Sequence, residues 1–331
     1  MLNVNCFLNL KGVFISRKVV AIGGGHGLSE ISKQLKRYPL DSYTTIVTPT
    51  DDGGLSGIYR TDYDVLSVGD YMLVVSSVSG LSDDAIRGLG YRFPNGRFNG
   101  NSSGHNIFAS LCSAFGPEKA MEVIREIYRV PENIRILLPT LEKCTLCAGL
   151  EDGTEIREET NIDTRPYERG SQIKKVFLDP DRPQAYEPSK EAILNADMVI
   201  LGPGSLYTST LPSVLIPDVG CVLARTGGKK VYVCNVLTEP GSTHRYPVSE
   251  HIRALQRHGV TIDTVLVHTG GLTEDVVRKY ESEGKYPVDY DRDVVLDLGL
   301  SVIEGDFAVQ GMIPVRHSEA TGKTLWGLLN K

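Results

Sequence analysis

An α/β fold is what this sequence predicts: a mostly parallel sheet flanked by helices, with a small antiparallel excursion. Three observations predict it. Lys18-Val-Val-Ala-Ile22 is a short β-branched run that enters Gly23-Gly-Gly-His-Gly27 and then a helix, with Leu28, Ile31 and Leu35 at helical spacing. A second junction of this kind, Asp197-Met-Val-Ile-Leu201 into Gly202-Pro-Gly-Ser-Leu-Tyr-Thr-Ser209, lies in the second half. Elsewhere, short apolar runs alternate with amphipathic segments, the rhythm of a parallel sheet with both faces covered.

The first junction is also the leading candidate site. Gly23, Gly24, Gly25 and Gly27 remove side chains where the chain turns into a helix, leaving His26 and Leu28 among them. Such a turn presents backbone N–H groups at the positive end of the helix dipole, a seat for phosphate. The spacing matches neither the dinucleotide fingerprint nor the P-loop. Residues 43–48 read as the next strand, ending in Pro49-Thr-Asp-Asp-Gly-Gly-Leu-Ser-Gly57. Ligands gather at the carboxyl ends of such strands, so Asp51 and Asp52 are placed to bind a hydroxyl, an amine or a metal ion. Gly69 and Asp70 open an apolar helix through Val78, and 83–91 reads as another. His105 and Asn106, in Gly104-His-Asn106, begin a further helix after a polar loop; a ligand contact and a structural role both remain open.

A charged amphipathic helix at 118–129 and a strand at 135–139 follow. Between Cys144 and Leu178 the pattern changes to short runs around the hairpin signal Glu151-Asp-Gly153, an antiparallel insertion that either covers a site or joins subunits. A helix at 191–196 leads to the second glycine turn, where Gly202, Gly204, Ser205, Leu206, Tyr207 and Thr208 join backbone N–H groups to hydroxyls. Two such turns can face each other across a cleft. The strand at 229–235 ends at Asn235, which can donate and accept toward a base or sugar. Helices at 248–256 and 273–283, a strand at 264–268 and a last strand pair at 287–291 and 293–298 precede the C-terminal helix. His251 and His258 have no carboxylate or thiolate company and read as surface histidines.

At 331 residues and 41% hydrophobic, the chain can bury a sizeable core. Its net charge is −6 with no basic stripe, which argues against nucleic acid. No run reaches transmembrane length and no signal peptide fits, so a cytoplasmic protein without a membrane partner is expected. Residues 1–17 read as an N-terminal extension, and 18–331 as one domain. The cysteines are Cys6, Cys112, Cys144, Cys147, Cys221 and Cys234; Cys144 and Cys147 lack a second pair or a nearby His and read as structural thiols.

Taken together, these segments resemble the CofD-like family, and within it the YvcK branch of gluconeogenesis factors. The resemblance runs in order over nearly the whole chain, through Val19-Val-Ala-Ile-Gly-Gly-Gly-His-Gly-Leu28, Thr50-Asp-Asp-Gly-Gly54, Gly69-Asp70, Tyr91-Arg-Phe93, Gly104-His-Asn106, Leu201-Gly-Pro-Gly-Ser-Leu-Tyr-Thr-Ser209 and Val231-Tyr-Val-Cys-Asn235. It implies a single Rossmann-like domain with a cleft for a nucleoside diphosphate. In the YvcK branch the implied ligand is a UDP-sugar such as UDP-N-acetylglucosamine, bound by a regulator linking carbon supply to cell-wall precursor synthesis and cell shape. A protein partner in cell-wall precursor synthesis and a homo-oligomeric state are expected. The other branch is 2-phospho-L-lactate transferase, a magnesium-dependent enzyme. The resemblance adds Tyr280, in Arg278-Lys-Tyr280, and Arg316, in Val315-Arg-His317, as sugar-nucleotide contacts. The chain departs from the family after Gly69-Asp70, where Tyr71-Met-Leu-Val74 stands in place of a segment with Arg and Asn. The expected function is therefore a non-catalytic sugar-nucleotide-binding regulator without a fixed cofactor or metal. A phosphotransferase with magnesium at Asp51 and Asp52 is the alternative. An NAD-dependent dehydrogenase is a third reading, but no acidic residue ends the second strand in the ribose-binding manner.

Overall fold

The computed structural model describes residues 17–96, 99–166, 171–309 and 311–330. The expected N-terminal extension, Cys6 included, lies outside them apart from Arg17. In chain order, β1 (Lys18–Gly23), α1 (Gly25–Leu35) and β2 (Ser42–Val47) come first. Five helices follow: α2 (Gly54–Asp62), α3 (Gly69–Val78), α4 (Asp83–Gly90), α5 (Ser103–Phe115) and α6 (Pro117–Ile127). Beyond β3 (Ile134–Leu137), the excursion holds β4 (Thr145–Leu150), β5 (Glu155–Arg157), α7 (Glu159–Thr164) and β6 (Ile173–Asp179). Next come α8 (Glu187–Leu194), β7 (Met198–Leu201), a π-helical turn (Leu206–Thr210), α9 (Leu211–Val214), α10 (Pro217–Arg225) and β8 (Lys229–Val233). The chain closes with α11 (Val248–Arg257), β9 (Thr264–His268), α12 (Glu274–Glu281), α13 (Arg292–Asp297), β10 (Ser301–Gly305) and α14 (Glu319–Leu328).

Seven strands form a parallel sheet in the order β10-β9-β8-β7-β1-β2-β3. The chain winds outward from β1 on one side, then returns to its other side at β7. The loops after β1 and β7 therefore diverge, and a crevice opens between them at the carboxyl ends of the strands. Successive β1 residues serve opposite cores: Val19 and Ala21 join one hydrophobic cluster, Val20 and Ile22 the other. That two-sided burial is why β1 reads as an unbroken apolar run.

The excursion is part of the interior. β5, β4 and β6 form an antiparallel sheet in that order, and Leu146, Ala148, Leu150, Val176 and Leu178 pack into the second core. Two expectations fail. The strand pair near the C-terminus does not form: Pro287 makes one isolated bridge to Leu237, and 292–297 is helical. Val295 is buried while Val294 and Leu296 stay exposed, so one-sided packing of a single turn overrides the β-branched pair. The sheet edge is instead β10. Nor are the two histidines on the surface. His251 is fully buried, and half-buried His258 accepts a bond from Val176 N at 2.9 Å, its other nitrogen facing Ala254 O at 2.7 Å. Among the described residues, Cys112, Cys144, Cys147 and Cys234 are buried free thiols and Cys221 an exposed one. No single described helix is long and apolar enough to cross a membrane.

Candidate functional site

The two glycine turns meet directly. A Cβ at Gly27 would lie 2.2 Å from Pro203 O, so the first turn of α1 can rest on the loop after β7 only as glycine. Gly202 N donates to Ile22 O at 2.9 Å, which holds the second turn beside β1. Beyond it, Gly204 N donates to Asn235 Oδ1 at 3.2 Å, tying in the end of β8. Ser205 Oγ accepts from Thr208 N at 3.3 Å and caps the π-helical turn. A cleft of about 170 Å³ lies over these groups; Gly27, Gly204, Ser205, Asn235, Glu239 and Arg316 are among its walls. Arg316 is exposed, and among the described residues no carboxylate pairs with it. Tyr280 is buried, and its hydroxyl accepts from Val315 N at 2.9 Å, so it braces the segment that carries Arg316.

The expected site residues thus fall into four groups. Gly27, Gly204, Ser205, Asn235 and Arg316 line the cleft, Gly23, Gly24, Gly25 and Gly202 belong to the same two turns without lining it, and His26 is exposed on α1. Asp70 lies against the first turn with Gly69 and Asp51 beside it, and Asp52 lines a separate hollow with Gly54, Arg60 and Thr160. Leu28, Leu206, Tyr207, Thr208 and Tyr280 point into the interior, where Tyr207 faces the Tyr246 hydroxyl at 3.3 Å. His105 and Asn106 stand apart, at a groove between α2 and α5. Ser102 Oγ lies 2.5 Å from His105 Nδ1, Arg92 donates to its other nitrogen, and Tyr59 donates to Asn106 Oδ1. Burial, then Arg92, pushes the His105 pKa down to about 4.

A family model described as 2-phospho-L-lactate transferase CofD matches residues 19–308. The chain belongs to the CofD family. Among its relatives, a gluconeogenesis factor of Bacillus subtilis is 35% identical over 304 residues, covering 91% of this chain and 94% of that protein. A relative from Clostridium acetobutylicum is 36% identical over 297 residues, 88% of this chain but 64% of its own length. The crystal structure of a UPF0052 family member from Bacillus halodurans has a TM-score of 0.88 at 32% identity, covering 94% of this chain and 99% of that one.

Beneath the cleft, this CofD-family chain concentrates acid. Asp51 accepts from Ser56 Oγ at 2.5 Å and Gly53 N at 3.1 Å. Asp52 binds the start of α7, accepting Glu159 N at 2.9 Å, Thr160 N at 2.9 Å and Thr160 Oγ1 at 2.7 Å. α7 in turn brings in Glu159 and also Asp163, whose carboxylate accepts from Thr208 Oγ1 at 3.1 Å. Glu239 accepts from Ser242 Oγ at 3.0 Å. Burial raises all the shifted members: Asp70 and Asp163 to about 7, Glu159 to about 9, with Asp51 and Glu239 also up. Mutual repulsion adds to it, while Lys285 opposes it at Asp163 and Glu239. The oxygens of Asp51 and Asp52 are turned to protein donors. Among the described residues, no three His, Cys, Asp or Glu side chains converge as a metal-holding group. Glu159, Asp163 and Lys285 were not legible as site residues, because only the folded excursion and the loop after α12 bring them here. Glu239 could have been found: it lies four residues past Asn235 at the same strand end.

Proposed function

We propose that this chain is a regulatory protein that binds a sugar nucleotide of the UDP-N-acetylglucosamine type without consuming it. It would act in the cytoplasm, coupling gluconeogenic growth to cell-wall precursor synthesis and cell shape through a protein partner in that synthesis. One observation carries the reading: the two glycine turns close on each other beside Asn235, with Arg316 at the mouth. Backbone N–H groups and a guanidinium suit a diphosphate, and an amide suits a base or sugar. The names of the relatives, gluconeogenesis factors, support the regulatory half. Against the phosphotransferase stands the engagement of Asp51 and Asp52, the pair expected to hold magnesium, whose oxygens already accept from Gly53, Ser56, Glu159 and Thr160.

Titration calorimetry with UDP-N-acetylglucosamine tests binding. An Arg–phosphate contact contributes on the order of 1.5–3 kcal/mol, so Arg316→Ala is expected to weaken affinity by roughly ten- to a hundredfold. Equal affinity in parent and variant would place the ligand elsewhere. Phosphorus NMR of the complex with magnesium over hours is expected to show the ligand intact. Turnover that disappears in Asp51→Asn would establish the transferase instead.

A further inference from the structure

We infer that a hollow between the antiparallel excursion and α11 is a second ligand site, built to take a small phosphorylated polyol of the sugar-phosphate class. It is separate from the sugar-nucleotide cleft and does not depend on that reading. The hollow measures about 600 Å³ and shares no residue with the cleft that Gly27 and Arg316 line. Pockets for small ligands run from roughly 300 to 1,000 Å³. Three stretches distant in sequence wall it: Glu151 with residues 172–174, the loop 244–247, and Glu250 with Arg257 on α11.

Cations outnumber acids there, in a chain whose net charge is −6: Lys174, Arg245 and Arg257 stand with Glu151 and Glu250. Glu250 is already engaged, by Arg253 at 2.8 Å and by Arg257 at 3.3 Å. Lys174 and Arg245 are exposed, and neither has an ion-pair partner among the described residues. Their charge is available to a phosphate. Arg245 is also held in place. Its φ is +53°, a left-handed conformation that a residue with a side chain rarely adopts. Its guanidinium lies 3.8 Å over the Tyr286 ring, which His244 meets edge-on at 5.5 Å. The loop is fastened beyond it, where Val248 N donates to Asp289 O at 2.9 Å and Ser249 N to Asp291 Oδ1 at 3.0 Å. Glycine would take this φ without strain, whereas arginine sets a guanidinium at a fixed point of the wall.

The remaining lining suits the polyol. Glu151 N donates to Gln172 O at 3.0 Å, which brings a carboxylate and an amide together on one wall. Their oxygens can accept from hydroxyls. Tyr246 is buried, its hydroxyl 3.3 Å from that of Tyr207, and with Pro247 it offers an apolar face to a carbon skeleton. Inorganic phosphate leaves the acceptor wall unused, and a sugar without phosphate leaves the cations unpaired.

Calorimetry and thermal shift with glucose 6-phosphate, ribose 5-phosphate, inorganic phosphate and glucose test the site. At least one of the two sugar phosphates is expected to bind the parent, roughly tenfold or more tighter than inorganic phosphate or glucose. Arg245→Gly suits the backbone, so the free variant should melt close to the parent while sugar-phosphate affinity falls roughly tenfold or more. Lys174→Ala, at an exposed position, should lower that affinity as well. Arg316→Ala should leave it unchanged, because that guanidinium lines the other cleft. The proposal is overturned if neither sugar phosphate binds the parent, or if inorganic phosphate or glucose binds as tightly. It is overturned equally if both Arg245→Gly and Lys174→Ala bind as the parent does. Loss of sugar-phosphate binding in Arg316→Ala would put the ligand in the sugar-nucleotide cleft and also overturns it. If UDP-N-acetylglucosamine fails to bind while a sugar phosphate is held through Arg245, the cleft reading falls and this site stands. If Arg245→Gly does not fold, Arg245→Asn, which also tolerates this φ, takes its place.

Discussion

Glu159 is an acid whose ionisation the fold opposes. Burial first, then Asp51, Asp163, Asp70 and Asp52, raise its pKa from 4.5 to about 9. A carboxyl raised in the fold prefers its neutral form, so its stabilising contribution is complete below about 4.5 and is lost as pH climbs through 9. Asp70 and Asp163, each near 7, lose theirs earlier, between about 4 and 7. The ligand-free protein should therefore melt at a lower temperature at pH 8 than at pH 6. Glu159→Gln should raise the melting temperature at pH 8 by about 2–4 °C, from roughly 1–2 kcal/mol in a protein of this size. Calorimetric scans across this range check both; a parent that gains stability steadily from pH 6 to 8 contradicts them. Gly24 is the other residue whose role the structure recasts. A side chain there collides with Asp70 and Thr48 before any ligand does. Gly24→Ala should accordingly cost about 1–3 kcal/mol of stability without ligand, the range for overpacking, as read from urea unfolding.

Among the elements, α7 takes its N-terminal cap from a side chain far away in the sequence. Its residues 159–164 open with Glu158 at φ +76°, and their own N-cap makes no side-chain bond. Asp52, 107 positions earlier than Glu159, supplies the capping carboxylate instead. Asp52→Ala should cost about 1–2 kcal/mol, as for loss of a strong cap. Hydrogen exchange should quicken over 159–164 while β1 and β2 stay protected. Uniform protection would mean that the hydrophobic contacts of Ile162 hold the helix unaided. The same element explains one blind spot of pattern reading: a six-residue helix inside a run of strands has too few turns to show a period. α13 escaped for the related reason that two adjacent valines look like a strand until a neighbouring helix buries one of them.

At the scale of the molecule, the crevice follows from topology: β1 is flanked by β2 and by β7, and the loops that leave them part company. Local pattern determined a great deal of this. β1, β7 and β9 are largely apolar runs because each is covered on both faces, and that burial leaves its mark in composition alone. The two glycine turns were equally legible, since backbones cannot touch there with a Cβ between them. Sequence thus determined the fold class and the two glycine turns that meet at the candidate site. What only the tertiary structure decided is which groups fill that space. Asp70 lies 45 positions from Gly25, and Asp163 the same distance from Thr208. Tyr280 proved to be a brace for Val315. Spacing along a chain reports which face of an element a side chain occupies, whereas contact across a crevice depends on how separate elements stack, and no local period encodes that.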